Sequence, residues 1–365
     1  MESTDLMKST MPHKETDVKS CLNFFGSLSK ALGFKNSRSE DLTFKTLLLA
    51  SLSNSYVEGS SQVTGACGQT VRNNPREKKP DTLLQINHDM IATLMEMGIL
   101  NKPLIVALDW HDEMYYGSLE AEGIIGTKNN RGTNYAYEYA TASIVVKGLR
   151  FTIAVIPVKQ RSVVNMIRTV MEIIDELGIK ISILLMDGGF FSVDAINYLI
   201  SSKVMFIIHA PKLAKAYGYD VSDSMYTTNS HKKRKKDQAT FRMVSIYSRK
   251  RSGKHFKKIL YVFATNTSFS SVSILKFYKK RWGIETGYRM IRKFLARTTT
   301  KKYSVWLMYF YLAVLLYNFW VLLNLKSRMK IVADVVRLLI ISILVTVNPY
   351  STNLYLENRA SGGDF

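Results

Sequence analysis

The sequence is poor in cysteine and in acidic residues. Its only cysteines, Cys21 and Cys67, lie far apart, which excludes a CxxC zinc site and a disulfide framework and predicts an intracellular protein. The polar N-terminus, MESTDLMKST, lacks the apolar core of a secretory signal. Only 29 Asp and Glu oppose 50 Lys and Arg, so the net charge is +21. That surplus predicts a polyanionic partner, with nucleic acid first and an anionic membrane second.

Charge is also missing from Tyr303 to Leu325, a run long enough to cross a bilayer. A second apolar run, Val336 to Val347, is interrupted only by Arg337. The alternative to a membrane span is a buried core helix. Asn318 and the tyrosines spread through the first run favour that alternative. We therefore expect no membrane partner.

The N-terminal part of the chain is read as two regions. Residues 1–40 are mostly polar and are predicted to be loosely ordered. Residues 41–100 are predicted to form a helical DNA-binding region, because apolar residues recur at helical spacing between Leu42 and Tyr56. The following QVTGACGQTVRNN fits either a helix-turn-helix or an ordinary helical hairpin. The run REKKP at 76–80 predicts a linker.

Residues 101–203 change to a mixed α/β pattern. PLIVALD, ending at Asp109, and KISILLMD, ending at Asp187, are buried strands that each end in an acid. Antiparallel strands and a helix from Ser162 to Leu177 lie between them. Open α/β sheets place their sites at the carboxyl ends of strands. Residues 204–266 are predicted to form a β-rich insertion whose basic runs, HKKRKK and RKRSGKHFKK, are either phosphate-binding or solvated loops.

A single amphipathic helix is predicted over Phe277–Lys293. Spacings of three and four residues place one acid, one phenol and several guanidiniums on one face: Tyr278, Arg281, Glu285, Arg289 and Arg292, with Lys293 adjacent. A salt-bridged surface helix is one interpretation. The other is a carboxylate that holds a divalent metal beside a phosphate chain.

Three acids can therefore converge: Asp109, Asp187 and Glu285. Carboxylates are the ligands that hard cations such as Mg²⁺ take, and a pair of such ions supports phosphoryl transfer. We expect Mg²⁺, with Mn²⁺ as a substitute. The alternative for the two aspartates is to cap the turns after their strands. Nearby acids that could be confused with these ligands are Asp112, Glu113 and Asp194.

The helix Tyr278-x2-Arg281-x3-Glu285-x6-Arg292 resembles the Y-x2-R-x3-E-x6-K signature of the DDE transposases of insertion sequences, in the insertion-sequence-four superfamily. LDWHDEMYYG at 108–117 resembles the first-Asp motif of archaeal relatives, and MDGGFFS at 186–192 resembles their D-R-G-F-F block. The resemblance covers residues 100–325. Two positions depart from it: Arg292 stands at the lysine position, and Gly188 stands where the block has arginine.

The resemblance implies an RNase H-like mixed sheet with flanking helices, interrupted by the β-rich insertion. The catalytic glutamate helix and a core helix then fill 267–330, and a C-terminal helix and tail fill 331–365. It implies Asp109, Asp187 and Glu285 as metal ligands, with Tyr278, Arg281 and the basic residues Arg289, Arg292 and Lys293 on DNA. The implied activity is metal-dependent cleavage and strand transfer at terminal inverted repeats, by cut-and-paste.

The expected partner is double-stranded DNA, both transposon ends and target, bound by a homodimer in the cytoplasm at the nucleoid. Two alternatives stay open. One is an RNase H-fold nuclease or a catalytically decayed DNA-binding derivative. The other is a basic membrane protein that uses the two apolar runs as spans.

Overall fold

A computed structural model describes residues 11–32, 38–73, 81–130, 132–210, 222–228, 238–252, 255–327 and 331–346. The predicted linker at 76–80 and the basic run at 231–236 lie outside these residues. The chain divides into two compact units. The helical unit comprises 1–94, 117–122 and 289–365, and the sheet unit comprises 95–116 and 123–288.

The helices are, in chain order, α1 Met11–Ala31, α2 Arg38–Ser53, α3 Val57–Thr64, α4 Gly68–Asn73, α5 Asp81–Glu96, α6 Val163–Glu176, α7 Val193–Ser201, α8 Ser271–Lys280, α9 Trp282–Ile291, α10 Tyr303–Ser327 and α11 Ala333–Thr346. The strands are β1 Leu104–Met114, β2 Ile125–Asn130, β3 Thr133–Val146, β4 Leu149–Val158, β5 Ile181–Met186, β6 Phe206–His209, β7 Asp223–Thr227, β8 Thr240–Ser252 and β9 His255–Thr265.

The core of the helical unit is α10. Within the described residues, the stretch Tyr303–Lys326 is long and apolar enough to cross a membrane, but 83% of its most apolar window is buried in the protein. Its one amide in the middle, Asn318, donates to Asn87 Oδ1 at 2.7 Å, so the buried polar group is satisfied. This burial fits the core-helix interpretation of the apolar run.

Helix α1 occupies much of the segment that was predicted to be loosely ordered. Its buried side chains recur at helical spacing: Cys21, Phe24, Phe25 and Leu28. The Phe24 ring stacks on Phe319 of α10, with centroids 4.1 Å apart. The prediction for residues 1–40 is thus corrected over Met11–Ala31, because a narrow apolar stripe is enough to dock a helix that is otherwise polar.

The sheet unit is built on one mixed sheet. Its described strands follow the order β2-β3-β1-β5-β6-β9-β8-β7, and β4 also pairs with β3. The pairs β1–β5 and β5–β6 are parallel, and the others are antiparallel. The predicted turn at Gly148 joins β3 to β4, with φ of 84°, a value that favours glycine. The fold is therefore the predicted mixed α/β sheet with flanking helices.

The first strand of the predicted insertion belongs to the central sheet in the structure. Strand β6 pairs in parallel with β5, so it belongs to the central sheet although it follows residue 204. The later strands extend the same sheet, since β9 pairs antiparallel with β6 and β8 pairs with β9. The inserted strands therefore lengthen the sheet.

The predicted helix Phe277–Lys293 is also different. Helix α8 ends at Lys280 and α9 begins at Trp282. Between them, the Arg281 amide donates to the Tyr278 carbonyl at 2.9 Å, which is a tighter turn than an α-helix makes. A 3₁₀ turn, Arg292–Phe294, follows α9. The predicted single helix is therefore interrupted at Arg281, although Arg281 keeps αR dihedral angles, with φ of −52° and ψ of −33°.

Candidate active site

The pairing of β1 with β5 brings the two predicted aspartates to one place. The parallel register ends at Leu108 opposite Met186, so Asp109 and Asp187 are the next residues on adjacent strands. The sequence predicts that Asp109 ends its strand, but in the structure the strand continues past it. Strand β1 continues to Met114 because its outer half still pairs with β3, where Asp109 is opposite Thr141. The sheet itself thus sets the two acids side by side.

The Asp187 carboxylate is oriented by the turn that follows it. Its Oδ1 accepts a hydrogen bond from the Gly189 amide at 2.9 Å and caps the 3₁₀ turn Gly188–Phe190. Trp110 stacks on Phe190, with ring centroids 4.5 Å apart. A Cβ on residue 189 would lie 3.0 Å from Asp187 Oδ1 and 3.1 Å from Trp110 Nε1. A side chain at this position would therefore displace the carboxylate or the indole.

Arg281 joins the third acid to the first. Its Nη1 donates to Asp109 Oδ2 at 2.7 Å, and its Nη2 donates to Glu285 Oε1 at 2.8 Å. Its guanidinium carbon also lies 5.5 Å from the centre of the Tyr278 ring. The break between α8 and α9 is therefore the point at which a buried guanidinium bridges two carboxylates.

Helix α9 is anchored to the site by Tyr288. The Tyr288 hydroxyl donates to the Asp109 carbonyl oxygen at 3.2 Å and lies 2.5 Å from Thr141 Oγ1. Glu285 is one helical turn before Tyr288, so this contact fixes the height of Glu285 over β1. Sequence reasoning missed Tyr288, although its place one turn after the glutamate is a usable signal.

Burial and neighbouring charges shift the pKa values of the site residues in opposite directions. Burial raises the pKa of Asp109 to about 7, the charge of Arg281 opposes this rise, and the charge of Asp187 adds to it. Burial disfavours the charged form of Arg281, but the negative charge of Asp109 holds the pKa of Arg281 above its ordinary value. Burial likewise raises the pKa of Tyr278 to about 12. Even beside Arg281, the Asp109 carboxyl thus binds a proton more readily near neutral pH than an ordinary aspartate does.

The donor set suits a divalent metal ion. Asp109, Asp187 and Glu285 offer only carboxylate oxygens, which Mg²⁺ and similar ions prefer. As the side chains stand, the described residues contain no group of three acidic, His or Cys ligands around one point. Arg281 provides the positive charge between Asp109 and Glu285 instead. An ion bound by these two acids would have to compete with that guanidinium.

The nearby acids are engaged elsewhere. Thr127 Oγ1 donates to Asp112 Oδ2 at 2.9 Å, and His111 Nε2 lies 2.5 Å from Glu113 Oε1. Asp194 is in the first turn of α7, where a carboxylate favours the helix N-terminus. These contacts distinguish them from Asp109, Asp187 and Glu285.

The predicted DNA-contacting residues fall in both units. Tyr278 and Arg281 are in the sheet unit and are only 3% and 8% exposed. Arg289, Arg292 and Lys293 belong to the helical unit. Arg289 and Arg292 are exposed, whereas Lys293 Nζ lies 3.0 Å from Asp334 Oδ2.

Comparisons with known proteins bear on the family and the fold. The family model for the transposase DDE domain matches residues 103–319. Among solved structures, a piggyBac transposase synaptic complex with hairpin DNA has a similar fold, with a TM-score of 0.56 and 12% identity over 94% of this chain and 84% of that chain. A comparison with curated proteins finds no match.

The structural likeness shows the fold, an RNase H-like mixed sheet with flanking helices. Enzymes of the matched family generally use divalent metal ions, which agrees with the all-oxygen donor set. The match spans more than half of the 365 residues and contains all three acids. The chain therefore belongs to the transposase DDE-domain family and is a DDE transposase.

Proposed function

We propose that this transposase moves an insertion sequence by cut-and-paste, acting at its terminal inverted repeats, and that it is an archaeal-type member of the insertion-sequence-four superfamily. The observation that carries the proposal is the link that Arg281 makes between Asp109 and Glu285, beside Asp187 on the adjacent strand. Asp109 and Asp187 follow the last parallel pair of β1 and β5, and Arg281 ties Glu285 to Asp109. Hydrolysis of a phosphodiester and its transfer to a hydroxyl use the same carboxylates in such a site.

Asp109, Asp187 and Glu285 are proposed to hold Mg²⁺, or Mn²⁺ in its place, as a pair of ions. When bound, these ions would activate the attacking oxygen and stabilise the charge on the leaving oxygen. The part of the protein is positioning: the sheet fixes the two aspartates, and Tyr288 fixes the helix that bears Glu285. Arg281 would have its fork of donors available for a phosphate if Asp109 and Glu285 held the ions instead of the guanidinium.

Double-stranded DNA is the proposed partner, both as transposon end and as target. The net charge of +21 supports this. The DNA-contacting side chains are proposed to be Tyr278, Arg281, Arg289, Arg292 and Lys293. The structurally similar piggyBac transposase was solved with hairpin DNA. We propose that this chain likewise acts on DNA ends, as a homodimer, in the cytoplasm at the nucleoid.

The test uses a terminal duplex, defined as a labelled duplex that carries the inverted repeat flanking the coding sequence. With Mg²⁺, the wild-type protein should nick this duplex at the repeat boundary and join the freed 3′ end to a second duplex. Asp187→Asn and Glu285→Gln should abolish both products, because each removes a charged metal ligand. Asp194→Asn is the matched control and should retain both.

Nicking that survives in Asp187→Asn would refute the assignment of the three acids. Nicking without any joined product would favour the nuclease alternative. That alternative needs a direct test because Gly188 stands where the D-R-G-F-F block of the insertion-sequence transposases has its arginine.

A further inference from the structure

His209 extends the register that places the two aspartates. The parallel pairing of β5 with β6 ends at Met186 opposite Ile208. The next residues are Asp187 on one strand and His209 on the other. Three adjacent strands, β1, β5 and β6, thus present Asp109, Asp187 and His209 directly after their last parallel pairs. Side chains at this edge of an open α/β sheet are those that reach a ligand.

The imidazole of His209 is held by aromatic rings. Its centroid lies 5.6 Å from that of Tyr278, 5.9 Å from Tyr261 and 6.1 Å from Phe263. Burial, together with the charge of Arg281, lowers the pKa of His209, while the charge of Asp187 opposes the shift. Arg281 and Asp187 are thus both close enough to His209 for their charges to act on it, and a neutral ring carries one N–H donor.

The ring nitrogens of His209 have no hydrogen-bond partner among the residues that the structure describes. His209 is half-buried, so a ring nitrogen without a protein partner is open to solvent and to a ligand. His111 differs, since its Nε2 lies 2.5 Å from Glu113. The donor of His209 therefore suits a ligand that the DNA substrate brings to the site.

We propose that His209 is a further substrate-contacting residue, whose imidazole N–H donates to a phosphate oxygen of the DNA strand held at Asp187. This inference rests on the proposed function. A phosphate oxygen is the acceptor that fits, because the ligand at this sheet edge is anionic DNA and the ring offers a donor. A role as a metal ligand is the competing assignment, which the chemistry disfavours since Mg²⁺ prefers oxygen.

The test compares His209→Phe with His209→Gln. Phenylalanine keeps a ring among Tyr261, Phe263 and Tyr278 but has no donor, whereas glutamine restores an N–H. Fluorescence anisotropy should show that His209→Phe binds the terminal duplex in Mg²⁺ about 10- to 100-fold more weakly, as for the loss of one hydrogen bond to a charged group. His209→Gln should recover part of that loss. Thermal unfolding should show both variants folded.

Equal affinity in wild type and His209→Phe would overturn the inference. A raised Mg²⁺ requirement for cleavage with unchanged DNA affinity would overturn it in favour of the metal-ligand role. If His209→Phe does not fold, the comparison of wild type with His209→Leu, which also lacks a donor, decides, using a duplex with a phosphorothioate at the scissile position. The sulfur should weaken binding less in the variant than in wild type, and equal effects would overturn the inference.

The DNA-binding measurement does not depend on cleavage. Wild-type protein that binds the terminal duplex but never cleaves it would therefore refute only the proposed function.

Discussion

Arg281 holds the place of a cation between Asp109 and Glu285. Its side chain and that of Asp109 are both 10% exposed, so the pair is shielded from water. Removing one member of a buried ion pair leaves the other uncompensated, which is more damaging than the pair was stabilising. Arg281 therefore reduces the repulsion between these two carboxylates.

Arg281→Ala should lower the free energy of unfolding of the metal-free protein by about 3 kcal/mol. Millimolar Mg²⁺ should then raise the melting temperature of the variant more than that of wild type, because the ion no longer competes with a guanidinium. Thermal unfolding with and without Mg²⁺ measures both effects.

Arg168→Ala is the control for this experiment, since Arg168 is an exposed arginine of the same unit, 5.2 Å from the Tyr198 ring. It should melt near wild type, with the wild-type response to Mg²⁺. The same Mg²⁺ shift in Arg281→Ala and wild type would show that the ion binds without displacing Arg281.

The element that carries Glu285 is packed closely against the β3–β4 hairpin. A Cβ at Gly283 of α9 would lie 3.3 Å from both Arg150 Nε and Val145 Cγ1. The glycine thus allows the helix to approach the sheet, and Tyr288 then fixes it there through Asp109 and Thr141. The distance between helix and sheet determines where the carboxylate of Glu285 lies.

Gly283→Ala should reduce stability by about 1 kcal/mol, because overpacking outweighs the better helix propensity of alanine. It should also slow cleavage of the terminal duplex by moving Glu285. The matched change is Gly59→Ala in α3, where a Cβ meets nothing within 4 Å, and it should stabilise by about 0.5 to 1 kcal/mol. Denaturant unfolding and a cleavage assay report the two quantities. A Gly283→Ala protein as stable and active as wild type would mean that the helix has room to shift.

For helices and strands, the sequence predicts the type of each element better than the residues at which it begins and ends. The helices predicted after Ser162 and Ser192 begin at those residues, and the Ser192 hydroxyl caps its helix by accepting from the Ala195 amide. Such a start is a local signal. The extension of β1 to Met114 is not local, because it depends on β3 pairing beyond the end of β5. The break at Arg281 is not local either: it accompanies contacts with Asp109, which lies far away in sequence.

The candidate site shows the same division. The motif spacing predicts Asp109, Asp187 and Glu285 as candidate ligands, because strand ends and helix turns have regular periods. It does not predict the bridging role of Arg281, the anchor at Tyr288 or the place of His209 beside Asp187. Each of these depends on pairing between segments that the local pattern does not connect.

For the whole molecule, the large positive charge raises the question of which cations contact DNA. Arg292 and Lys293 are adjacent and fall in the same unit, yet their surroundings differ. Arg292 is exposed, whereas Lys293 is half-buried and its Nζ lies 3.0 Å from Asp334 Oδ2. A surface ion pair of this kind is weak. It still has to be broken before the lysine can contact a phosphate, which reduces the binding free energy that this contact would add.

Arg292→Ala should therefore reduce the slope of log affinity against log salt by about one, as expected for the loss of one phosphate contact. Lys293→Ala should change the slope less. Anisotropy titrations of the terminal duplex at several salt concentrations give both values. A larger change in Lys293→Ala would assign the phosphate contact to the lysine.

The register that ends at Leu108, Met186 and Ile208 also bears on how this enzyme can diverge. Neighbouring strands lie about 4.8 Å apart whatever their side chains, so the spacing of Asp109, Asp187 and His209 is held by backbone hydrogen bonds. Substitutions elsewhere in the strands can accumulate without moving these three positions. A shared fold at 12% identity is what such an arrangement allows, because the main chain sets the spacing of the strands while most side chains can change.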